Sequence, residues 1–212
     1  MDLFLFHHSE FQRQYNCTKV NIDDVPLSAR RHVIEGWIAI ILCALYYVRT
    51  YVNLQNLHSI VYVQTLYIPC IISLYKHINV PCYRLLFYMS VCDCSVLWVP
   101  GFFHGYMAIE GAVFCSHPTV IFITGAATLA LWMMESSAEL ILSINRCVAV
   151  LSPKTEQAIF GGWRVNVWIT ASVFYGFLWL FFSHPVLFNG IYFSWVFNPY
   201  AGYNDAVAEE VR

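Results

Sequence analysis

Long apolar stretches separated by short polar ones set the pattern of this chain. Between Arg84 and Glu110 the only charge is Asp93, from Gly111 to Met134 there is none, and between Arg164 and Asp205 there is again none. An earlier stretch is interrupted: Gly36 to Val48 is apolar, Arg49 breaks it, and apolar character returns from Leu57 to Tyr75. A helix needs about 20 such residues to cross roughly 30 Å of hydrocarbon. None of the stretches alternates as a transmembrane barrel strand does. The pattern therefore predicts spanning helices: a broken first region over 36–75, then spans over 82–105, 118–148 and 165–183.

Composition points the same way. Hydrophobic residues make up 59% of the chain and charged residues 11%, against roughly a quarter charged in soluble domains. The fold class expected is all-α, a polytopic membrane bundle of about four spanning helices, or five helical segments if the interrupted region is two. The lipid bilayer is its first partner. With a net charge of −2 there is no basic patch to hold nucleic acid.

The first 35 residues do not read as a secretory signal, because Leu3 to Phe6 is too short an apolar core and acids and bases follow at once. They read as a polar, floppy tail. Asn16-Cys17-Thr18 fits the N-glycosylation acceptor, a short motif that also arises by chance and matters only on an outside tail.

Basic residues in short loops set orientation. Lys76 and Arg84 lie between the first and second spans, and Arg146, Lys154 and Arg164 follow the third, against Glu156. The alternate loops carry Glu110, and then Asp205, Glu209 and Glu210 against Arg212. This places the tail outside. Arg13, Lys19, Arg30 and Arg31 on the tail argue the other way, but three loops agree.

The third span is long enough to tilt. It starts near Cys115 on the outer side and ends in Asn145-Arg146-Cys147 on the inner side, the plan of a seven-helix receptor. The strings from Cys115 to Trp132, from Leu140 to Cys147 and from Pro153 to Arg164 resemble the nematode serpentine receptors of class T. So do shorter stretches at Tyr15, Leu66, Cys82, Gly105 and Pro185. The resemblance implies a G-protein-coupled chemoreceptor of the plasma membrane or sensory cilium, with a small chemical ligand and a G protein as partners.

Two departures stand out. Nothing after Tyr203 resembles the family, so the chain reads as the N-terminal half of such a receptor, cut after the fourth helix. Val48 to Gln64 fits neither neighbouring piece; without it, Gly36–Tyr47 joins Thr65–Tyr75 as one uncharged stretch of single-span length. A retained intron would produce that insertion. If the segment belongs to the protein, a short first helix, a break near Arg49 to Asn56 and a new helix from Leu57 are expected.

The segment 184–212 reads as an outer hairpin with a divergent end, its turn a two-residue type I′ at Asn189-Gly190. Cys17 and Cys115 are the two cysteines expected outside, where disulfides form. They either pair, tying the tail to the top of the third span, or stay apart. Cys92 and Cys94 flank Asp93 on different sides of a helix, which makes a poor metal clamp. Cys82 and Cys147 lie near the inner boundary, where reversible palmitoylation takes place.

Ionisable groups inside a membrane are functional candidates. Asp93 is one. Glu135 and Glu139, four apart, share a helix face and would repel if both were charged. With Ser95, Ser136, Ser137, Ser143 and Asn145 they form either a cation pocket or an internal hydrogen-bond network. Asn145 and Arg146 are the candidate G-protein face; Arg146 also suits a snorkelling anchor. His7-His8 with Glu10 lacks metalloprotease spacing, and no nucleophile elbow or phosphate loop is present, so neither an enzyme nor a cofactor is expected. A chemosensory receptor therefore competes with a truncated four-helix protein that does not signal, a decayed paralogue or a subunit that pairs with full-length receptors. A transporter lacks the inverted repeat.

Overall fold

The computed structural model describes residues 1–18, 21–22, 25–48 and 67–202. The stretch 49–66, which contains nearly all of the expected insertion and the break near Arg49, lies outside them, as do the end from 203 onward and Lys19, Asp23 and Asp24. Three helical stretches are long and apolar enough to cross a membrane: Pro81–Glu110, Pro118–Leu151 and Arg164–Phe182. Only 22%, 33% and 17% of their most apolar windows are buried by the described residues. The helix before them is described over Val33–Val48, 16 residues, and the chain immediately after it lies outside the described residues.

The described chain forms two compact units. The first takes in residues 1–42, 98–130 and 178 onward. It opens with α1 (Asp2–Leu5), α2 (His8–Gln14), α3 (Leu27–Arg30) and the start of α4 (Val33–Val48). The described part of the tail is therefore helical and packed rather than extended. Phe11 and Tyr15 are buried, four residues apart and so on one helical face. Phe122 of the third span receives Phe4, Phe11 and Tyr15 at centroid distances of 5.7, 5.0 and 5.1 Å. Such pairs contribute about 0.5–1.5 kcal/mol each beyond their burial. The N-terminal amine donates to the Leu180 carbonyl at 2.9 Å, one of the carbonyls a helix end leaves unpaired.

Helix α6 (Pro81–Trp98) passes into a wide π turn over Val99–Phe103 and then α7 (His104–Glu110). The helical stretch thus runs past the expected boundary at 105. Pro100 is the physical cause of the wide turn, since it has no N–H to give the preceding turn. Helix α7 stops at Gly111, whose φ of 72° is left-handed. There Gly111 N–H bonds the Ala108 carbonyl and Ala112 N–H the Met107 carbonyl, the Schellman closure that satisfies orphan carbonyls. A Cβ on Gly105 would stand 2.6 Å from the Gly36 carbonyl oxygen, and one on Gly36 equally close to that of Gly105. Two glycines let α4 and α7 touch backbone to backbone.

The third span is α8 (Pro118–Leu151), and the fourth is α10 (Arg164–Phe182). After α10 come β1 (Leu187–Asn189) and β2 (Ser194–Val196), antiparallel, with Leu187 opposite Val196 and Asn189 opposite Ser194. The connection is thus Gly190 to Phe193 rather than a two-residue turn at Asn189-Gly190. Gly190 is not in the left-handed region that a type I′ turn requires. It is glycine for another reason: a Cβ there would lie 2.6 Å from both the Ala112 and Arg30 carbonyls, and its own N–H bonds Ala112 at 2.9 Å. Asn189 uses its side chain to accept from Ile191 N–H and donate to the Ala201 carbonyl.

The second unit takes in 43–97 and 131–177. It holds most of α6, the rest of α8, α5 (Tyr67–Lys76), the short α9 (Pro153–Phe160) and most of α10. The stretch after the third span, read from sequence as a loop, contains α9. Its N-cap is Ser152, whose hydroxyl accepts from Thr155 N–H, followed by Pro153 at a position where a missing N–H costs nothing. Arg84 ties this unit together, donating to the Ile78 and Gly162 carbonyls and to the Asn166 side chain at 2.9–3.1 Å.

The glycine pair gives a contrast to measure. Gly105→Val drives a side chain into the Gly36 carbonyl and is expected to cost about 3 kcal/mol or more. Gly162→Ala meets nothing within 4 Å and strains only a φ of 63°, so about 1 kcal/mol is expected. Apparent melting temperatures in detergent should fall in that order; equal losses would remove close helix approach as the cause.

Candidate functional site

Two polar regions hold the chemistry, one in each unit. In the first unit Cys17 and Cys115 are joined, with S–S 2.05 Å and Cα atoms 5.5 Å apart, across 98 positions of sequence. Closing so long a loop restricts the unfolded chain by about 4.7 kcal/mol in the chain-entropy account. Beside it the Tyr200 hydroxyl shares its proton between the Gln14 and Asn16 carbonyls, at 3.2 and 3.1 Å. Asn16 turns its side-chain oxygen to the Thr18 N–H (2.9 Å) and hydroxyl (2.7 Å). Tail, third span and the chain after the hairpin thus meet around one disulfide. Burial, with Tyr200 nearby, pushes the Tyr15 phenol up to about 12 from 10.0, and burial also raises Tyr200.

An imidazole pair lies under the hairpin. His104 packs edge-on to Phe193 and Phe188 at 4.5 and 5.0 Å, and His32 packs on Phe193 at 5.1 Å. Phe193 itself has φ 49°, uncommon for a residue with a side chain.

The second unit carries a polar seam across α6, α8 and α10. The Met134 carbonyl accepts from Ser172 at 2.6 Å and Ser137 at 2.8 Å, and the two hydroxyls lie 2.7 Å apart. With its proton committed to Met134, Ser172 is open to accept from the Tyr88 hydroxyl at 3.3 Å. The carboxyls of Asp93 and Glu135 face each other across α6 and α8. Glu135 is half-buried and Glu139 exposed, which parts the two acids that share a helix face.

Several expected partners are placed differently. Ser95, Ser136 and Ser143 bond carbonyls of their own helices, at Val91, Trp132 and Glu139; of the five polar residues named with the acids, only Ser137 and Asn145 reach another element. Asn145 is not on an exposed face. It is 1% exposed because its amide donates to Glu156 of α9 at 3.1 Å. Arg146, next to it, is exposed. Tyr88 and Ser172 were missed in the sequence reading. Ser172 carries a usable signal, a small polar residue four before Gly176 in an apolar run, the spacing that packs membrane helices closely. Among the described residues no three of His, Cys, Asp or Glu gather as a metal set.

Apolar spans, polar groups paired inside them and a covalently stapled end fit a polytopic helical membrane protein. Residues 1–207 match the model of the serpentine type seven-transmembrane G-protein-coupled chemoreceptors, Srt, and the chain belongs to that family. Serpentine receptor class T-55 of Caenorhabditis elegans is 27% identical over 120 residues, which cover 57% of this chain and 33% of that receptor. The chain thus spans about a third of the length of the curated relative it matches. No solved structure matches it. The family match runs through the 48–64 stretch and four residues beyond Tyr203, where resemblance was expected to end.

Two outcomes follow. Asn145→Ala strands a carboxylate and should lower stability by about 1–3 kcal/mol, whereas Glu156→Gln keeps an acceptor and should cost less; thermal unfolding in detergent separates them. Raised phenol pKa values mean that folding is favoured by neutral Tyr15 and Tyr200. That contribution is complete below about pH 10 and drains away as pH climbs toward 12. Protease release of the tail should rise across that window, and Tyr15→Phe should move the rise to higher pH.

Proposed function

We propose that this chain is part of a chemoreceptor that takes a small chemical ligand and signals to a G protein, in the plasma membrane or cilium of a sensory cell. The match to the receptor family over residues 1–207 carries this reading. The tail lies outside. The Cys17–Cys115 bond supports that orientation, because disulfides persist in oxidising compartments. Asn16 is then a glycan acceptor, with the Thr18 hydroxyl on its side chain.

At the other end, Arg146 is the residue offered to the G protein, and Asn145 is a positioning residue that fixes α9 through Glu156. The Asp93–Glu135 pair is an interior polar hub, with Glu139 at its edge.

An epitope tag ahead of Met1 should stain in unpermeabilised cells, and a glycosidase should shift the protein's mobility in the wild type but not in Asn16→Gln. Staining only after permeabilisation would sink the orientation. Basal nucleotide exchange on a co-expressed G protein should fall in Arg146→Glu at equal surface level; an unchanged rate removes Arg146 from coupling.

A further inference from the structure

We infer that the end of the second unit around α9 is a binding surface for anionic phospholipid headgroups, a preference beyond mere residence in a bilayer. The inference rests on the tail lying outside, which puts this end on the inner leaflet. Charge is the first observation. Among the described residues Lys76, Arg84, Arg146, Lys154 and Arg164 belong to this end, against one acid, Glu156. That acid is turned inward and held by Asn145 at 3.1 Å, so the exposed side of α9 presents Lys154 without a neighbouring carboxylate.

The basic residues sit in one band because contacts join the segments that carry them. Arg84 bonds Ile78 beyond Lys76 and Gly162 just before Arg164. Arg164 bonds the Ala158 carbonyl at the end of α9 at 2.6 Å, and the Trp168 indole reaches the Ile159 carbonyl at 3.4 Å. Helix α9 is therefore pinned at both ends, to α8 through Glu156 and to α10 through Arg164. A pinned helix offers fixed charges to a headgroup at little ordering cost.

Apolar and aromatic exposure is the second observation. Val150 and Leu151, at the end of α8, are 86% and 84% exposed, Trp163 is 70% exposed and Tyr75 64%. Trp and Tyr with an apolar body and a polar tip settle at headgroup depth. Aliphatic side chains that close to Arg146 and Lys154 suit the acyl boundary immediately beneath a phosphate. Water alone is a poor partner for both, whereas an anionic interface suits them together. Each basic residue near such a surface is worth about fivefold in partitioning at low salt, less where its guanidinium is already committed to carbonyls, as in Arg84 and Arg164. Arg146 and Lys154 should therefore carry most of the preference.

The full chain would be reconstituted in phosphatidylcholine vesicles holding a trace of dansyl-phosphatidylserine or dansyl-phosphatidylcholine, with energy transfer from tryptophan as the readout. Transfer to the serine lipid should exceed transfer to the choline lipid by roughly threefold and fall toward equality as salt rises. Arg146→Gln with Lys154→Gln should remove at least half of that excess, and Lys154→Arg should keep it, which separates charge from misfolding. Equal transfer to both lipids in the wild type overturns the inference. So does an excess that survives the double substitution, even if G-protein exchange is lost in the same variant, an outcome that would give this end to the G protein instead. Because both leaflets carry the probe, the result does not depend on orientation. Serine-lipid preference without any G-protein exchange supports the inference and counts against the signalling reading alone.

Discussion

Hydrocarbon offers no hydrogen-bond partner, and nearly every polar choice in the spanning helices answers to that constraint. A serine or threonine on a single helix folds back on its own turn, as Ser90 does on Leu86 and Thr128 on Thr124. A serine at a helix contact is shared instead, and Ser172 gathers Tyr88, Ser137 and the Met134 carbonyl. Acids cannot fold back this way. Asp93 and Glu135 face each other across two spans, and outside the spans Glu156 meets a buried amide.

The same constraint explains what could be seen in the sequence. Charge-free runs are visible because a membrane forbids charge along nearly their whole length, so three long apolar helices could be expected from them, over 81–110, 118–151 and 164–182. Helix ends follow local rules that compete. At Asn189-Gly190 the dipeptide that favours a tight turn serves a different purpose, with Asn189 bonding along the chain and Gly190 giving two carbonyls room. Pairing preference lost to packing. Helix α9 was hidden because its hydrophobic contribution is small, although Ser152-Pro153 ahead of it and Gly161-Gly162 after it mark both ends.

The tail misled for a similar reason. Its apolar residues are few and scattered, so average hydrophobicity reads as polar, yet Phe4, Phe11 and Tyr15 recur at intervals of seven and four and share a face. Three aromatic rings on Phe122 are enough to seat two short helices that would not persist alone. At the candidate site, residue identity was legible and partnership was not. Asp93, Glu135 and Asn145 could be named from the sequence, but which of them face one another depends on helix rotation, which a nearly uniform apolar helix leaves unmarked. Burial of Asn145 beside an exposed Arg146 follows from that rotation.

The staple between Cys17 and Cys115 also has a dimension in time. The two cysteines are separated by 98 positions, and a ribosome adds about 5–20 residues each second, so the second thiol emerges roughly 5 to 20 seconds after the first. Through that interval the tail has neither its disulfide nor Tyr200, which is made later still, to hold it. Phe4, Phe11 and Tyr15 have to wait as well, since Phe122 follows Cys115 in the chain. Asn16 is fully reachable only then, before its carbonyl is taken by Tyr200 and its neighbour by Cys115. Any modification of Asn16 is therefore least hindered while the rest of the chain is still being made.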